Sequence, residues 1–149
     1  MKVREVMTRD VYVANPQNSI REVARVMTDI DCGSVPVGEN DRLVGMVTDR
    51  DIAIRAVGQD KGPDTRVEEV MTRDLRYCYE DEDLEHVTHN MGEQQIRRLP
   101  VVDRDKRLVG ILSLGDVAMS TDCNETSEAL TGISRPGGLH SQTGASASL

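Results

Sequence analysis

The 149-residue chain contains no Phe and no Trp, and only three Tyr. Its core must be aliphatic, built from Val, Ile, Leu and Met, and few rings remain on which exposed bases could stack. Positive charge is scarce as well: 18 Lys and Arg stand against 26 Asp and Glu, a formal net charge of -8. Such a balance repels phosphate backbones, so general nucleic-acid binding is disfavoured. No apolar run approaches the roughly 20 residues that a bilayer span needs. Met1-Lys2-Val3 leads straight into patterned sequence with no signal-peptide core. These absences read together as a cytosolic protein without a membrane partner.

Catalytic signatures are missing too. Cys32, Cys78 and Cys123 form an odd set without C-x-x-C spacing and read as buried or idle thiols. His86 and His89 lie three apart on an expected helix, a spacing that can serve a metal, but no carboxylate or thiol cluster of matching register accompanies them. No metal site is assigned. Neither a G-x-S-x-G elbow nor a phosphate-binding P-loop occurs, and no nucleophile is paired with a base. No enzymatic activity and no catalytic cofactor are expected.

What the chain does have is a repeat. Leu43 to Ile52 reads L-V-G-M-V-T-D-R-D-I and returns from Leu108 to Val117 as L-V-G-I-L-S-L-G-D-V. Val3-Arg4-Glu5-Val6-Met7-Thr8-Arg9-Asp10 likewise returns as Val67-Glu68-Glu69-Val70-Met71-Thr72-Arg73-Asp74, an offset of 64 residues. The offset becomes 65 beyond the second polar turn, which is one residue longer. A unit of that length is near the lower limit for burying its own core, so the two copies are expected to share one.

Within each copy the order is strand, helix, hairpin, helix. Val11-Tyr12-Val13-Ala14 and Leu75-Arg76-Tyr77-Cys78 favour short strands. Ile20, Val23, Ala24, Met27 and Ile30 recur at helical spacing behind Ser19, with Glu22 placed to complete a capping box. The second copy repeats this with Leu84, Val87 and Met91 behind Asp83 as the expected cap. Ser34-Val35-Pro36-Val37 and Arg98-Leu99-Pro100-Val101-Val102 then pair through a polar turn with the L-V-G strands as hairpins. Closing helices start around Asp49, ending before Gly58, and around Leu114. The fold class is mixed α/β, two β-α-β-β-α repeats. The divisions are 1–57 and 67–120 for the copies, 58–66 for a turn-rich connector, and 121–149 for a polar tail expected to be poorly ordered, with a short helix over Thr126 to Leu130 left open.

The V-M-T openings, the x-P-V-x strands and the L-V-G closes ending in [TS]-x-x-D, each present twice, resemble the tandem repeat of cystathionine-β-synthase (CBS) domains of the stand-alone type. The resemblance covers Val3 to about Met119. It implies pseudo-two-fold symmetry with two clefts between the repeats, pairing into a disc-like homodimer, and clefts that take AMP, ADP, ATP, S-adenosylmethionine or NAD species. Regulation of an unnamed target protein, as in energy sensing, follows from it. The alternative is a structural or protein-interaction dimer whose clefts are vestigial or empty.

Thr48 with Asp51, and Ser113 with Asp116, have the spacing of helix-capping boxes, which need no ligand. An ionised carboxylate, acceptor-only, also suits the paired hydroxyls of a ribose, which is the role the resemblance implies. It further implies that basic residues before one hairpin serve the phosphates held at the other copy's Asp. Arg97 and Arg98 stand at that position in copy two, while Gly33 and Ser34 stand there in copy one. Unequal sites are expected. The first joins Thr8, Val13, Cys32, Pro36, Thr48, Arg50, Asp51, Arg97 and Arg98. The second joins Thr72, Tyr77, Ile96, Pro100, Ser113 and Asp116. Against these stand plainer readings: Arg97 and Arg98 as a solvated strand edge, and Val13 and Ile96 first of all as core. Cys32 replaces the aliphatic residue usual in the resemblance, and a redox role there is a minor reading.

Overall fold

Copy one builds its scaffold from a helix and a hairpin. Ser19 caps helix α1 (Ile20–Ile30) by accepting the Glu22 N–H at 3.2 Å. The Glu22 carboxylate does not complete the box; it accepts from Asn18 Nδ2 at 2.9 Å. Ile20, Val23 and Met27 form the buried face, and Asp31 ends the helix in the left-handed region at φ 52°. Strands β1 (Ser34–Glu39) and β2 (Arg42–Thr48) pair antiparallel, with Pro36 opposite Met46 and a register shift at Val37/Gly38. Asn40 and Asp41, with φ 53° and 65°, turn the hairpin. The closing helix has three geometries in succession: a first α turn, α2 (Asp49–Asp51), then an i to i+5 segment (Ile52–Ala56), then a tight turn (Val57–Gln59). It thus runs past Gly58, where the sequence expectation ended it.

Copy two repeats the plan as β3 (Cys78–Tyr79), α3 (Leu84–Gln94), β4 (Arg98–Val102), β5 (Leu108–Ser113) and α4 (Leu114–Ser120). β3 runs parallel to β4, in a sheet of order β3-β4-β5. Its counterpart in copy one is reduced to a single bridge between Ala14 and Val37. Asp83 stands at the start of α3 but makes no capping bond with its side chain. Lys2 Nζ, 3.1 Å away, donates to that carboxylate instead and holds it below the usual carboxylate range. These descriptions come from a computed structural model that describes residues 1–120 and 123–133.

The chain forms two compact units, and they cut across the two copies. The first-hairpin unit comprises Asp10–Arg76 with Arg104–Leu108; the second-hairpin unit comprises Met1–Arg9, Tyr77–Asp103 and the described residues from Val109 onward. Each therefore contains the V-M-T opening of the other copy. In the second-hairpin unit Val3 N–H donates to Glu82 O at 3.0 Å, and Thr8 exchanges backbone bonds with Ile111 at 2.8 and 2.9 Å. In the first-hairpin unit Val67 N–H donates to Asn18 O at 2.8 Å, and Thr72 exchanges bonds with Met46 at 2.7 and 3.0 Å. Arg55 Nη1 also donates to the carbonyls of Val70 and Met71, at 3.3 and 3.2 Å.

The expected shared core is corrected accordingly. There are two apolar clusters, each composed of both copies. One gathers Val23, Val35, Val37 and Val47 with Val67, Val70 and Met71. The other gathers Leu84, Val87, Met91 and Leu112 with Val3 and Met7. Neither copy closes its core alone, as its size anticipates.

The expectation of a poorly ordered tail is corrected for Cys123–Ile133, which form helix α5 and contain the Thr126 to Leu130 stretch left open as a short helix. It lies against α3 where both backbones are bare enough to meet. A Cβ on Gly92 would come 3.1 Å from Ala129 Cα, and one on Gly132 would come 2.4 Å from the Gly92 carbonyl oxygen. Gln95 Nε2 donates to the Gly132 carbonyl at 3.1 Å. The part of the expected tail beyond residue 133, with residues 121 and 122, lies outside the described residues.

Candidate functional site

Two corners carry the paired motif, one in each unit. At the first, β2 hands over to α2: Thr48 Oγ1 accepts the Asp51 N–H at 3.0 Å, and Asp51 Oδ2 accepts the Thr48 N–H at 3.0 Å. The reciprocal box satisfies two backbone donors that the start of a helix leaves over. Among the described residues, Asp51 accepts from Thr48 alone, so a carboxylate with room for about four donors keeps acceptor capacity. Asp49 N–H donates to the Gly33 carbonyl at 2.9 Å, which ties the corner to the start of β1. A Cβ on Gly33 would sit 2.6 Å from Asp49 Oδ2, so the glycine lets that carboxylate fold back.

At the second corner β5 hands over to α4. Ser113 Oγ accepts the Asp116 N–H at 3.0 Å and Asp116 Oδ2 accepts the Ser113 N–H at 3.1 Å. Here a further donor is present: Thr8 Oγ1 approaches Asp116 Oδ1 at 3.2 Å and Oδ2 at 3.3 Å. Leu114 N–H donates to the Arg97 carbonyl at 2.9 Å, placing the Arg97-Arg98 step beside this corner in the same unit.

Several expected groupings change. Thr8 was assigned to the Thr48 and Asp51 site, but it belongs to the Asp116 corner. Thr72, assigned to the Ser113 and Asp116 site, lies in the unit of Thr48, paired to Met46 of β2. The reason is the exchange of openings: each V-M-T segment pairs with the L-V-G strand of the other copy and ends beside that strand's helix. Val13 is 39% exposed and is not core. Pro36 and Pro100 are buried in the central residues of their strands. Cys32 is half-buried, its Sγ 3.2 Å from the Ser34 carbonyl. Ile96 packs at the edge of the second cluster, and Tyr77 is half-buried with its ring edge-on to Tyr79 at 5.8 Å. Arg50 is exposed, its N–H held by Asp49 Oδ1 at 2.8 Å.

Two residues central to these corners escaped the sequence reading. A Cβ on Gly110 would fall 2.6 Å from the Thr8 carbonyl oxygen and 3.0 Å from Met7 Sδ; one on Gly45 would fall 2.8 Å from Met71 Sδ and 2.9 Å from the Thr72 carbonyl oxygen. These are the glycines of the two L-V-G runs. A glycine inside an apolar strand signals a close backbone approach, and its recurrence in both copies was the available clue.

Burial, reinforced by the Glu82 charge, pushes the Cys78 thiol up to about 12. It is inert at neutral pH. Among the described residues, no cluster of three or more His, Cys, Asp or Glu is arranged to hold a metal ion. No helix among them is long and apolar enough to cross a membrane.

The geometry thus comprises two capped Ser/Thr-x-x-Asp corners, each in the unit that contains the other copy's opening. The CBS domain family model matches residues 3–58 and again 67–120. The chain belongs to the CBS-domain family. This tandem CBS-domain pair is 42% identical over 133 residues to the CBS domain-containing protein YhcV of Bacillus subtilis, covering 89% of this chain and 94% of that protein. Among solved structures it resembles the CBS domain pair of protein MJ0100 in complex with 5'-methylthioadenosine and S-adenosyl-L-methionine. That likeness has a TM-score of 0.69 and 31% identity, over 80% of this chain and 94% of the other. CBSX2 in complex with AMP gives a TM-score of 0.72 and 28% identity, over 80% and 94% of the two chains. Its α/β architecture is that of the CBS-domain pair. CBS domains are typically regulatory modules without catalysis of their own.

Proposed function

We propose that this CBS pair is a regulatory module that binds an adenosine-containing ligand, with AMP, ADP or ATP ahead of S-adenosylmethionine and NAD(H). The observation that carries the reading is the Asp51 carboxylate, held by its capping bond at the end of β2 while retaining acceptor capacity. Two ribose hydroxyls are donors that such a group can take together. The adenosyl ligands of the MJ0100 and CBSX2 structures support the class of ligand.

Asp116 is the weaker ribose acceptor in this reading, because Thr8 already donates toward both of its oxygens. Arg97 and Arg98 supply the phosphate contacts, since planar guanidinium groups bind phosphate oxygens bidentately. The protein acts in the cytoplasm as a homodimer and passes the binding event to a target protein. Binding shifts its arrangement only by the ligand's differential affinity for two states.

Thermal-shift titration against AMP, ADP, ATP, S-adenosylmethionine, NAD and NADH, followed by calorimetry, tests this. A ligand of the folded state must raise the melting midpoint saturably with concentration. Asp51→Ala abolishes the tightest event, and Arg98→Ala weakens AMP by about 1.5 to 3 kcal/mol while leaving adenosine nearly unchanged. Equal loss for adenosine removes Arg98 from the phosphate role. Flat curves for every ligand replace the sensor reading with that of a protein-interaction module.

A further inference from the structure

The helix that starts at the Asp51 corner reaches across to the opening that pairs with its strand. Arg55 stands one turn beyond Asp51, in the i to i+5 segment Ile52–Ala56, a wide kind of turn that recurs at functional sites. Its Nη1 donates to the carbonyls of Val70 and Met71, at 3.3 and 3.2 Å. Those carbonyls follow the tight turn Val67–Glu69 and are groups of the kind that a helix end leaves over. The next residue, Thr72, exchanges backbone bonds with Met46 at 2.7 and 3.0 Å. A closed ring results: from Asp51 through Arg55 to the opening, across Thr72 to Met46, then along β2 to Thr48 and its reciprocal bonds with Asp51.

Copy two closes the corresponding ring at a different atom. At the offset of 65 residues the counterpart of Arg55 is Ser120. Its Oγ lies 2.8 Å from the Asp116 carbonyl oxygen and 3.2 Å from that of Val117, both in its own helix. The copy-one opening exchanges backbone bonds between Thr8 and Ile111, as Thr72 does with Met46, but here the link to the helix is the Thr8 hydroxyl on the Asp116 carboxylate. One corner is closed by a guanidinium on backbone carbonyls, and Asp51 keeps acceptor capacity. The other is closed on the carboxylate itself. Thr8 and Thr72 are equivalent residues paired alike to equivalent strands, so what differs between the corners is whether the residues just before the threonine are held.

We propose that Arg55 is a positioning residue of the Asp51 corner: it fixes the copy-two opening by the Val70 and Met71 carbonyls and so keeps the Thr72 hydroxyl from closing on Asp51 as Thr8 closes on Asp116. This role rests on the proposed reading of Asp51 as a ribose acceptor, and it makes Arg55 the residue that sets how strongly the corner distinguishes ribose from deoxyribose. An arginine suits the task, because one planar fork presents several donors at fixed angles and stays charged at any physiological pH.

Calorimetry on the full chain with AMP and 2'-deoxy-AMP tests it, since the probes differ in one hydroxyl that Asp51 would take. The wild type should prefer AMP at least about tenfold, as loss of a hydrogen bond to a charged group implies. In Arg55→Met that preference should disappear, and Arg55→Lys, a cation with fewer donors, should recover part of it. Thr72→Val added to Arg55→Met should restore it, because the competing hydroxyl is gone. A preference that survives Arg55→Met, that fails to return in the double variant, or that is absent from the wild type overturns the proposal. So does an equal loss for both probes, which is what a merely structural role gives.

Amide hydrogen exchange without ligand separates the role of Arg55 from the ligand reading. The Thr72 and Met46 N–H groups should exchange at least about tenfold faster in Arg55→Met, with Thr8 and Ile111 unchanged. Unaltered exchange at Thr72 and Met46 overturns the proposal. If the expected pattern appears and the wild type binds neither probe, the adenosyl reading fails while Arg55 stands as the residue that holds the opening. Should Arg55→Met not fold, Arg55→Lys carries both comparisons with smaller changes of the same sign.

Discussion

The Asp51 and Asp116 corners have the same local geometry and different surroundings. Each is a strand ending in Thr or Ser whose hydroxyl and N–H exchange bonds with an Asp three residues on, at 3.0 to 3.1 Å. Thr8 adds a hydroxyl to Asp116, whereas Thr72 joins the unit of Asp51 through backbone bonds to Met46. Arg97 and Arg98 stand at the start of β4, where Gly33 and Ser34 stand at the start of β1. The difference teaches that the repeat preserves the capping chemistry and leaves the surroundings of each carboxylate to the segments that arrive from elsewhere in the chain.

The strongest way to break the comparison is to fill the glycine against which each opening rests. Gly110→Ala should destabilise by about 2 to 3 kcal/mol, because its nearest obstacle is the Thr8 backbone carbonyl, which cannot move without losing the Ile111 bonds. Gly45→Ala should cost less, about 1 to 2 kcal/mol, since the backbone carbonyl it meets, that of Thr72, lies 2.9 Å away rather than 2.6 Å, and the nearer Met71 Sδ belongs to a flexible side chain. Urea unfolding of the two variants gives the ranking; a larger loss for Gly45→Ala would mean that the copy-two opening is the more rigid one.

Removing the caps comes next in size. Asp51→Ala and Asp116→Ala should each lose about 0.5 to 1.5 kcal/mol of stability in the absence of ligand, because each deletes the bond the carboxylate accepts from the Thr48 or Ser113 N–H while the hydroxyl still caps the helix. Thr8→Val should remove a few tenths to about 1 kcal/mol, because it deletes the bond to Asp116 and leaves that capping box intact. Combined with Asp116→Ala its effect should vanish, and a double-mutant cycle measures whether it does.

The smallest effect is a pH dependence confined to copy two. The bond from His89 to Glu128, with the Glu93 charge beside it, raises the His89 pKa above the usual histidine value. The raised group stabilises the folded state most fully below the unfolded value of about 6.5, and that contribution disappears as pH rises through the folded value. Thermal midpoints should therefore fall slightly over that window, and His89→Gln should flatten the step. A step of the same size in the variant would assign it to another group.

Elements and caps were legible because their signals are local. The spacing of Ile20, Val23 and Met27, the Ser19 cap, and the two Ser/Thr-x-x-Asp corners are set by neighbours within one or two turns. The cap assigned to Asp83 failed where a distant residue intervened, since Lys2 takes its carboxylate. Helix α5 extends beyond the short Thr126 to Leu130 helix that the sequence left open, for a related reason. Its segment has weak apolar periodicity and rests on a close fit of Gly92 with Ala129 and Gly132, which composition does not display.

The sequence by itself determined that the chain is built twice over, that its core is aliphatic, and where each strand gives way to a helix. Only the tertiary structure decided which opening lies on which hairpin, and with it the partner of Asp116. Val3–Thr8 and Val67–Thr72 are near-copies, so either could present the same backbone donors and the same Val and Met side chains to either L-V-G strand. The choice rests on long-range bonds to Glu82, Ile111, Asn18 and Met46 that no local pattern distinguishes.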